Sequence, residues 1–209
     1  MTMTKFNIFL IIAMLFAKSP VFAAEQQPIF VDEDKTAGFV RYVYIVMDDQ
    51  VGGGCWTNVD SVKAKLRLAL ERDGIGVLNE APAFYSPAVV VLAFQGLGVR
   101  ADSGVCAGNF SLDIGRYSSS RWGGDYGTTP FNFSAWHEFW STSTIFISGQ
   151  NHNSQVVEFA EGALTRFLGD YFAAKRSDEV ALFYEQFPKL EEEPLSWAEF
   201  KKSLAGDVE

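Results

Sequence analysis

A cysteine that follows three glycines and precedes a helix is a natural place to look for chemistry, and residues 49–58, Asp49-Gln-Val-Gly-Gly-Gly-Cys-Trp-Thr-Asn58, have that order. Two activities would use it. The free N–H groups of a helix start can hold a phosphate, and a thiol placed there loses its proton more easily and can attack. Neither is completed by the neighbours. A P-loop ends in Gly-Lys-Ser/Thr and a dinucleotide turn needs G-x-G-x-x-G, whereas Gly52-Gly-Gly54 runs into Cys55-Trp-Thr57. A nucleophilic Cys55 needs a base, and no histidine is adjacent to it in sequence.

Cys55 and Cys106 are the only cysteines. In an exported chain an isolated pair reads as a disulfide. Cys106 falls on the apolar parity of a strand, and Cys55 at the entry of a helix that needs a sheet to cover its apolar face, so both arrive at one interface. A loop of this length, closed by a bridge, stabilises by roughly 4 kcal/mol in the chain-entropy model. The glycines then serve a tight corner beside the bridge.

Export itself is read from the N-terminus. Lys5 is a short positive region, Ile8 to Phe16 is an apolar run, and Lys18-Ser-Pro-Val-Phe-Ala23 ends in small residues, so residues 1–23 read as a cleaved signal peptide. The apolar run is shorter than the 20 or so residues a membrane span requires, and no later segment approaches that length. No cysteine follows the cleavage site, which argues against a lipoprotein. The expected location is periplasmic or secreted. Cleavage removes two lysines and no acid, taking the net charge from −9 to −11. That acidity excludes nucleic acid or an anionic lipid face as the main partner, since both select clustered Lys and Arg.

Other chemistries leave little trace. His137-Glu138 lacks the second histidine of a zinc helix, and His152 lies in a polar turn, so both read as polar surface residues and no metal or cofactor is expected. No Gly-x-Ser-x-Gly elbow occurs, no carboxylate pair stands out, and Asp48-Asp49 lacks calcium-loop spacing, so no catalytic residue is assigned. The one functional lead is aromatic. Trp122, Tyr126, Phe131, Phe133, Trp136 and Trp140 crowd a segment whose first part, residues 118–134, reads as a long Gly/Ser-rich loop. Rings on such a loop form a platform for a sugar face or anchors for a protein. Trp122, Tyr126, Phe131 and Phe133 are the expected binding residues. Trp136 and Trp140 share parity and are expected to pack on one sheet face. A second reading is a secreted hydrolase or carbohydrate-active enzyme using Asp125, His137 or Glu138. Asn109 and Asn132 open Asn-x-Ser sequons that matter only in a eukaryotic source.

These residues need a scaffold. Phe39 to Met47 reads as a strand from its β-branched and aromatic content. Thr57 or Asn58 can cap a helix in which Val59, Val62, Leu66, Ala69 and Leu70 share a face and Gly74 is the stop. A short strand over Gly76 to Glu80 precedes Pro82 and Pro87. Ala88 to Val99 is almost wholly apolar, Arg100 to Gly104 is a turn, and Val105 to Tyr117 alternates with Cys106, Phe110, Leu112 and Ile114 on one side. Trp136 to Ser148 is a further strand. Val156, Phe159, Ala160, Ala163, Leu164, Phe167, Leu168 and Tyr171 then recur at helical spacing, and Ser177 caps a second short helix to Phe187.

This order predicts an α+β two-layer sandwich: a mostly antiparallel sheet of 4–5 strands with two main helices on one face and a helical C-terminus. Residues 24–37 form a flexible leader, 38–187 one domain, and 188–209 a linker and an amphipathic helix. Such a fold serves many functions and selects none. The sequence therefore points to a non-enzymatic, disulfide-stabilised binding or assembly module of the cell envelope, with a protein or glycan partner.

Overall fold

The computed structural model describes residues 33–82, 88–122, 131–188, 194–196, 198, 199 and 202, with backbone alone for 33, 34, 118–122 and 131–134. Five strands form one sheet: β1 (Tyr42–Val51), β2 (Gly76–Leu78), β3 (Val89–Arg100), β4 (Cys106–Trp122) and β5 (Phe131–Ser148). Their spatial order is β2-β1-β3-β4-β5. β1 runs parallel to β2, because helix α1 (Val59–Arg72) carries the chain from one sheet end back to the other between them, and it is parallel to β3 as well. β3 with β4 and β4 with β5, the latter the longest ladder of the sheet, are antiparallel. Helices α2 (Asn153–Lys175) and α3 (Asp178–Gln186) follow the sheet. This is the α+β sandwich expected from the sequence, and the sheet does not close on itself.

Helix periodicity and strand alternation meet in one core. Val62, Leu66 and Leu70 of α1 and Val156, Ala160, Leu164, Phe167 and Tyr171 of α2 are buried against Val43 and Ile45 of β1, Leu92 and Phe94 of β3, and Phe110, Leu112 and Ile114 of β4. Burying a side chain of this size stabilises by about 1.5–3 kcal/mol. A second cluster joins Phe39 to Val180 and Tyr184 of α3. The 3-10 turn Glu33–Phe39 touches both clusters, with Ala37 buried in the first and Phe39 in the second, so ordered structure begins inside the segment read as a leader.

The helix ends follow the expected chemistry with one change. After α1, Gly74 N–H bonds to the Glu71 carbonyl and Ile75 N–H to that of Leu70, closing the helix at the glycine. Ser177 Oγ accepts from Val180 N–H and caps α3. Asn58 holds the N-cap position of α1, yet neither it nor Thr57 caps that helix through its side chain. Instead Asn58 Nδ2 donates to the Asn153 carbonyl (3.2 Å), Thr57 N–H to Asn153 Oδ1 (2.9 Å), and Asn153 Nδ2 to Thr57 Oγ1 (2.9 Å). The two polar residues tie the start of α1 to the start of α2.

One irregularity interrupts the β4–β5 ladder. β5 pairs with β4 without interruption except between Ile114 and Gly115, where Ile114 faces Trp140 and Gly115 faces Glu138. Phe139 is the extra residue of a β-bulge, which shifts the parity of the strand. Beyond it the hairpin continues to Trp122, paired with Phe131. Residues 118–122 and 131–134 are therefore strand rather than loop, and residues 123–130, the rest of the expected loop, lie outside the described residues. Ser-rich chain carries little strand propensity of its own, so this extension comes from ladder pairing.

Candidate functional site

The corner at residues 49–58 is built for rigidity. Cys55 and Cys106 are bonded, with Cα atoms 5.6 Å apart, a spacing ordinary for a disulfide. Both are fully buried. Gly53 adopts φ +70°, and a side chain there would collide with Arg100; the Arg100 guanidinium donates to the Gly53 and Gly104 carbonyls, each at 2.8 Å. With its sulfur in the bridge, Cys55 is no nucleophile. Trp56, the next residue, is buried edge-on against Phe110 at 5.5 Å between ring centroids and tilted against Phe94 at 5.7 Å.

His152 departs from its expected place on the surface. It is fully buried, its N–H donates to the Cys55 carbonyl (2.6 Å), and its ring lies 5.9 Å from Phe110 and 5.8 Å from Phe146. The reason is tertiary. The turn before α2 is drawn under the disulfide corner, where a flat ring fills space among aromatic neighbours. Nδ1 is within hydrogen-bonding distance of Gln155 Oε1 (3.1 Å), and Nε2 has no partner.

The concave site lies on the other side of the sheet, on the face that carries neither α1 nor α2. There the ladder sets Val46, Ala93, Asp113 and Ser141 in one row and Asp48, Gln95, Ser111 and Ser143 in the next. On the opposite flank Gly115 stands between Val91 and Glu138, and Tyr117 pairs with Trp136. A groove of about 480 Å³, with Ala93 in its floor, opens between Asp48, Asp113, Tyr117, Trp136 and Glu138. The Tyr117 and Trp136 rings are 5.2 Å apart at 58°.

The bulge creates this arrangement. Trp136 and Trp140 would share a face on an unbroken strand, as their even spacing predicts. With Phe139 inserted they separate. Trp140 packs against Phe167 on the helix side and donates its indole N–H to Asp170 (2.9 Å), whereas Trp136 turns to the groove. Glu138 goes with Trp136, and His137, paired with Arg116, takes the helix side. His137 and Glu138 thus serve opposite faces of β5, and Asp125, the third member of the hydrolase reading, lies outside the described residues.

Electrostatics single out Asp113. Burial pushes its carboxyl above the ordinary carboxylate range, the nearby charge of Glu138 raises it further, and a hydrogen bond from Ser111 Oγ (2.8 Å) partly opposes both. Across the sheet, burial alone pulls the Arg116 guanidinium below its usual value. Asp113 escaped the sequence reading because alternation marks it only as a wet-face residue. Its partner Glu138 is brought alongside by hairpin register, which no local motif encodes. Among the described residues no three His, Cys, Asp or Glu side chains cluster as metal ligands.

The expected binding residues fall at the far end of the same hairpin. The ladder sets Trp122 opposite Phe131 and Ser120 opposite Phe133, and Tyr126 lies outside the described residues. A second cavity, about 400 Å³ between α1 and α2, is an ordinary helix seam spanned by the Lys65–Glu161 ion pair. The fold and site define an α+β sandwich with one helix-covered face and one grooved face that bears carboxylates and aromatic rings. Neither a protein-family model nor a curated protein matches the chain. Its function is therefore read from the groove.

Proposed function

We propose that this protein is an exported, non-enzymatic binding module of the cell envelope that engages a partner through the grooved sheet face and the β4–β5 hairpin. The observation that carries this reading is the bulge at Phe139, which sends Trp136 to the groove beside Tyr117 while Trp140 packs against the core on the helix side. Bulges next to binding sites re-aim side chains in this way. Export is supported by the Cys55–Cys106 bridge, which persists in oxidising compartments, and by the signal-like residues 1–23. Among the described residues no helix is long and apolar enough to cross a membrane.

Trp122, Tyr126, Phe131 and Phe133 remain part of the proposal as the aromatic contacts expected from the sequence. Replacing Trp122 and Tyr126 with Ala lowers partner binding and leaves the melting temperature nearly unchanged; an equal loss of stability would assign those rings to the core. The face is tested by site-specific photo-cross-linking in the native envelope. A photoreactive residue at Val99 or Ile147 is expected to yield a discrete adduct, and one at Lys63 on the outer side of α1 none. Adducts from Lys63 alone would overturn the assignment.

A second reading has one observation in its favour. Asp113, held protonated to higher pH than an ordinary carboxyl, shares the groove with Glu138, and glycoside hydrolysis uses a pair of carboxyl groups. Turnover of chromogenic glycosides, lost in both Asp113→Asn and Glu138→Gln, would establish it. A chain that turns over none of them removes it.

A further inference from the structure

Resting on the binding-module reading, we infer that the grooved face takes an amphipathic segment of a partner protein, with a Lys or Arg side chain set between Asp113 and Glu138 and apolar side chains laid over Leu97, Val99, Ile145 and Ile147. Two zones of one face carry this. The first is the groove, where the carboxylates of Asp48, Asp113 and Glu138 stand beside the Tyr117 and Trp136 rings and, among the described residues, no Lys or Arg lines the wall. A cation in such a place gains from the carboxylates and from the negative faces of the rings. It also relieves the repulsion between Asp113 and Glu138.

The second zone is apolar. Leu97, Asn109 and Ile145 form one cross-strand row, and Val99, Ala107 and Ile147 the row two residues on. Leu97, Val99, Ile145 and Ile147 are between 60% and 71% exposed. One exposed Leu is unremarkable on any protein surface. Four large apolar side chains in adjoining rows make a contiguous patch of the kind that marks an interaction site. Asn109 lies four residues from Asp113 along β4, about 13 Å at the rise of a strand. One partner segment reaches both zones with two to three turns of helix.

Charge complementarity selects this occupant. A second copy of the chain would set carboxylate against carboxylate, and an anionic lipid surface or a nucleic acid would be repelled by a chain of net charge −9. A neutral sugar would stack on the rings but leave the apolar rows in water.

The test uses the ¹⁵N-labelled chain from Ala24 onward and two synthetic amphipathic peptides of equal length, one of Leu and Lys, the other with Glu in place of every Lys. The Leu/Lys peptide is expected to shift the amides of Leu97, Val99, Asp113 and Ile145 and the indole signal of Trp136, while the Leu/Glu peptide leaves them in place. The double variant Asp113→Asn, Glu138→Gln keeps size and hydrogen bonding, and its unchanged amide dispersion reports that it folds. It should weaken the Leu/Lys peptide by about tenfold. Ile145→Ser with Ile147→Ser should weaken it independently. Equal response to both peptides, shifts confined to α1 and α2, or full affinity in the double variant overturns the inference. If cross-linking from Val99 or Ile147 succeeds while the Leu/Lys peptide leaves the face unperturbed, the cationic partner is wrong and the binding face stands. If both fail, both readings fall.

Discussion

The indole of Trp136 occupies the space that a side chain on Gly115 would fill. A Cβ built on that glycine would overlap the Trp136 ring and the His137 carbonyl oxygen. The two residues are brought together by the neighbouring pairs Gly115–Glu138 and Tyr117–Trp136 of the β4–β5 ladder, just beyond the bulge. The missing side chain leaves room for the ring. Gly115→Ala should therefore cost about 1–3 kcal/mol, as overpacking does, and alter the near-ultraviolet circular dichroism of the tryptophans. A variant as stable as the parent with an unaltered spectrum would show that Trp136 is not seated there.

The two tryptophans that a simple strand would pair should behave differently. Trp140→Ala removes a ring packed on Phe167 and a hydrogen bond to Asp170, and should cost about 3 kcal/mol. Trp136→Ala should cost about 1 kcal/mol or less, since that ring lies on the groove side. Urea denaturation of both variants measures the contrast, and equal losses would contradict the bulge.

Asp113 gives the pH dependence a definite sign. Its folded carboxyl titrates above its unfolded value because burial and Glu138 disfavour the anion. Ionising it therefore costs stability at neutral pH, and that cost disappears as pH falls below the unfolded value near 3.9. Asp113→Asn should raise the melting temperature at pH 7, on the order of 1–3 °C, with the gain gone in the acid limit. Thermal scans across pH test this, and a gain that persists or grows in acid would contradict it.

The disulfide holds the corner from which α1 departs. Replacing Cys55 and Cys106 with Ser, or reducing the native chain, should cost about 2–5 kcal/mol. His152, buried beneath the Cys55 carbonyl, should become more accessible in that variant. Chemical denaturation with and without reductant measures the first effect, and proton exchange at the His152 amide the second. An unchanged midpoint on reduction would show that the bridge adds nothing to stability.

Much of the scaffold is legible in residue order. Helical spacing from Val62 to Leu70 and from Val156 to Tyr171, alternation from Cys106 to Ile114, and one pair of cysteines specify the elements and the buried face. These signals are local, because burying a stripe or a strand face imposes its period on the sequence wherever it occurs. Tertiary structure alone decided which side of β5 each later residue serves. Parity predicts a face only while no residue is inserted, and Phe139 breaks it with no Gly or Pro to announce the bulge. The same holds for Asp113 and Glu138, neighbours only through hairpin register, and for His152, a polar-turn residue drawn into an aromatic pocket by the disulfide corner. Sequence determined what is buried by period; the groove arises from contacts between strands far apart in the chain, where a one-residue shift in register exchanges the two faces.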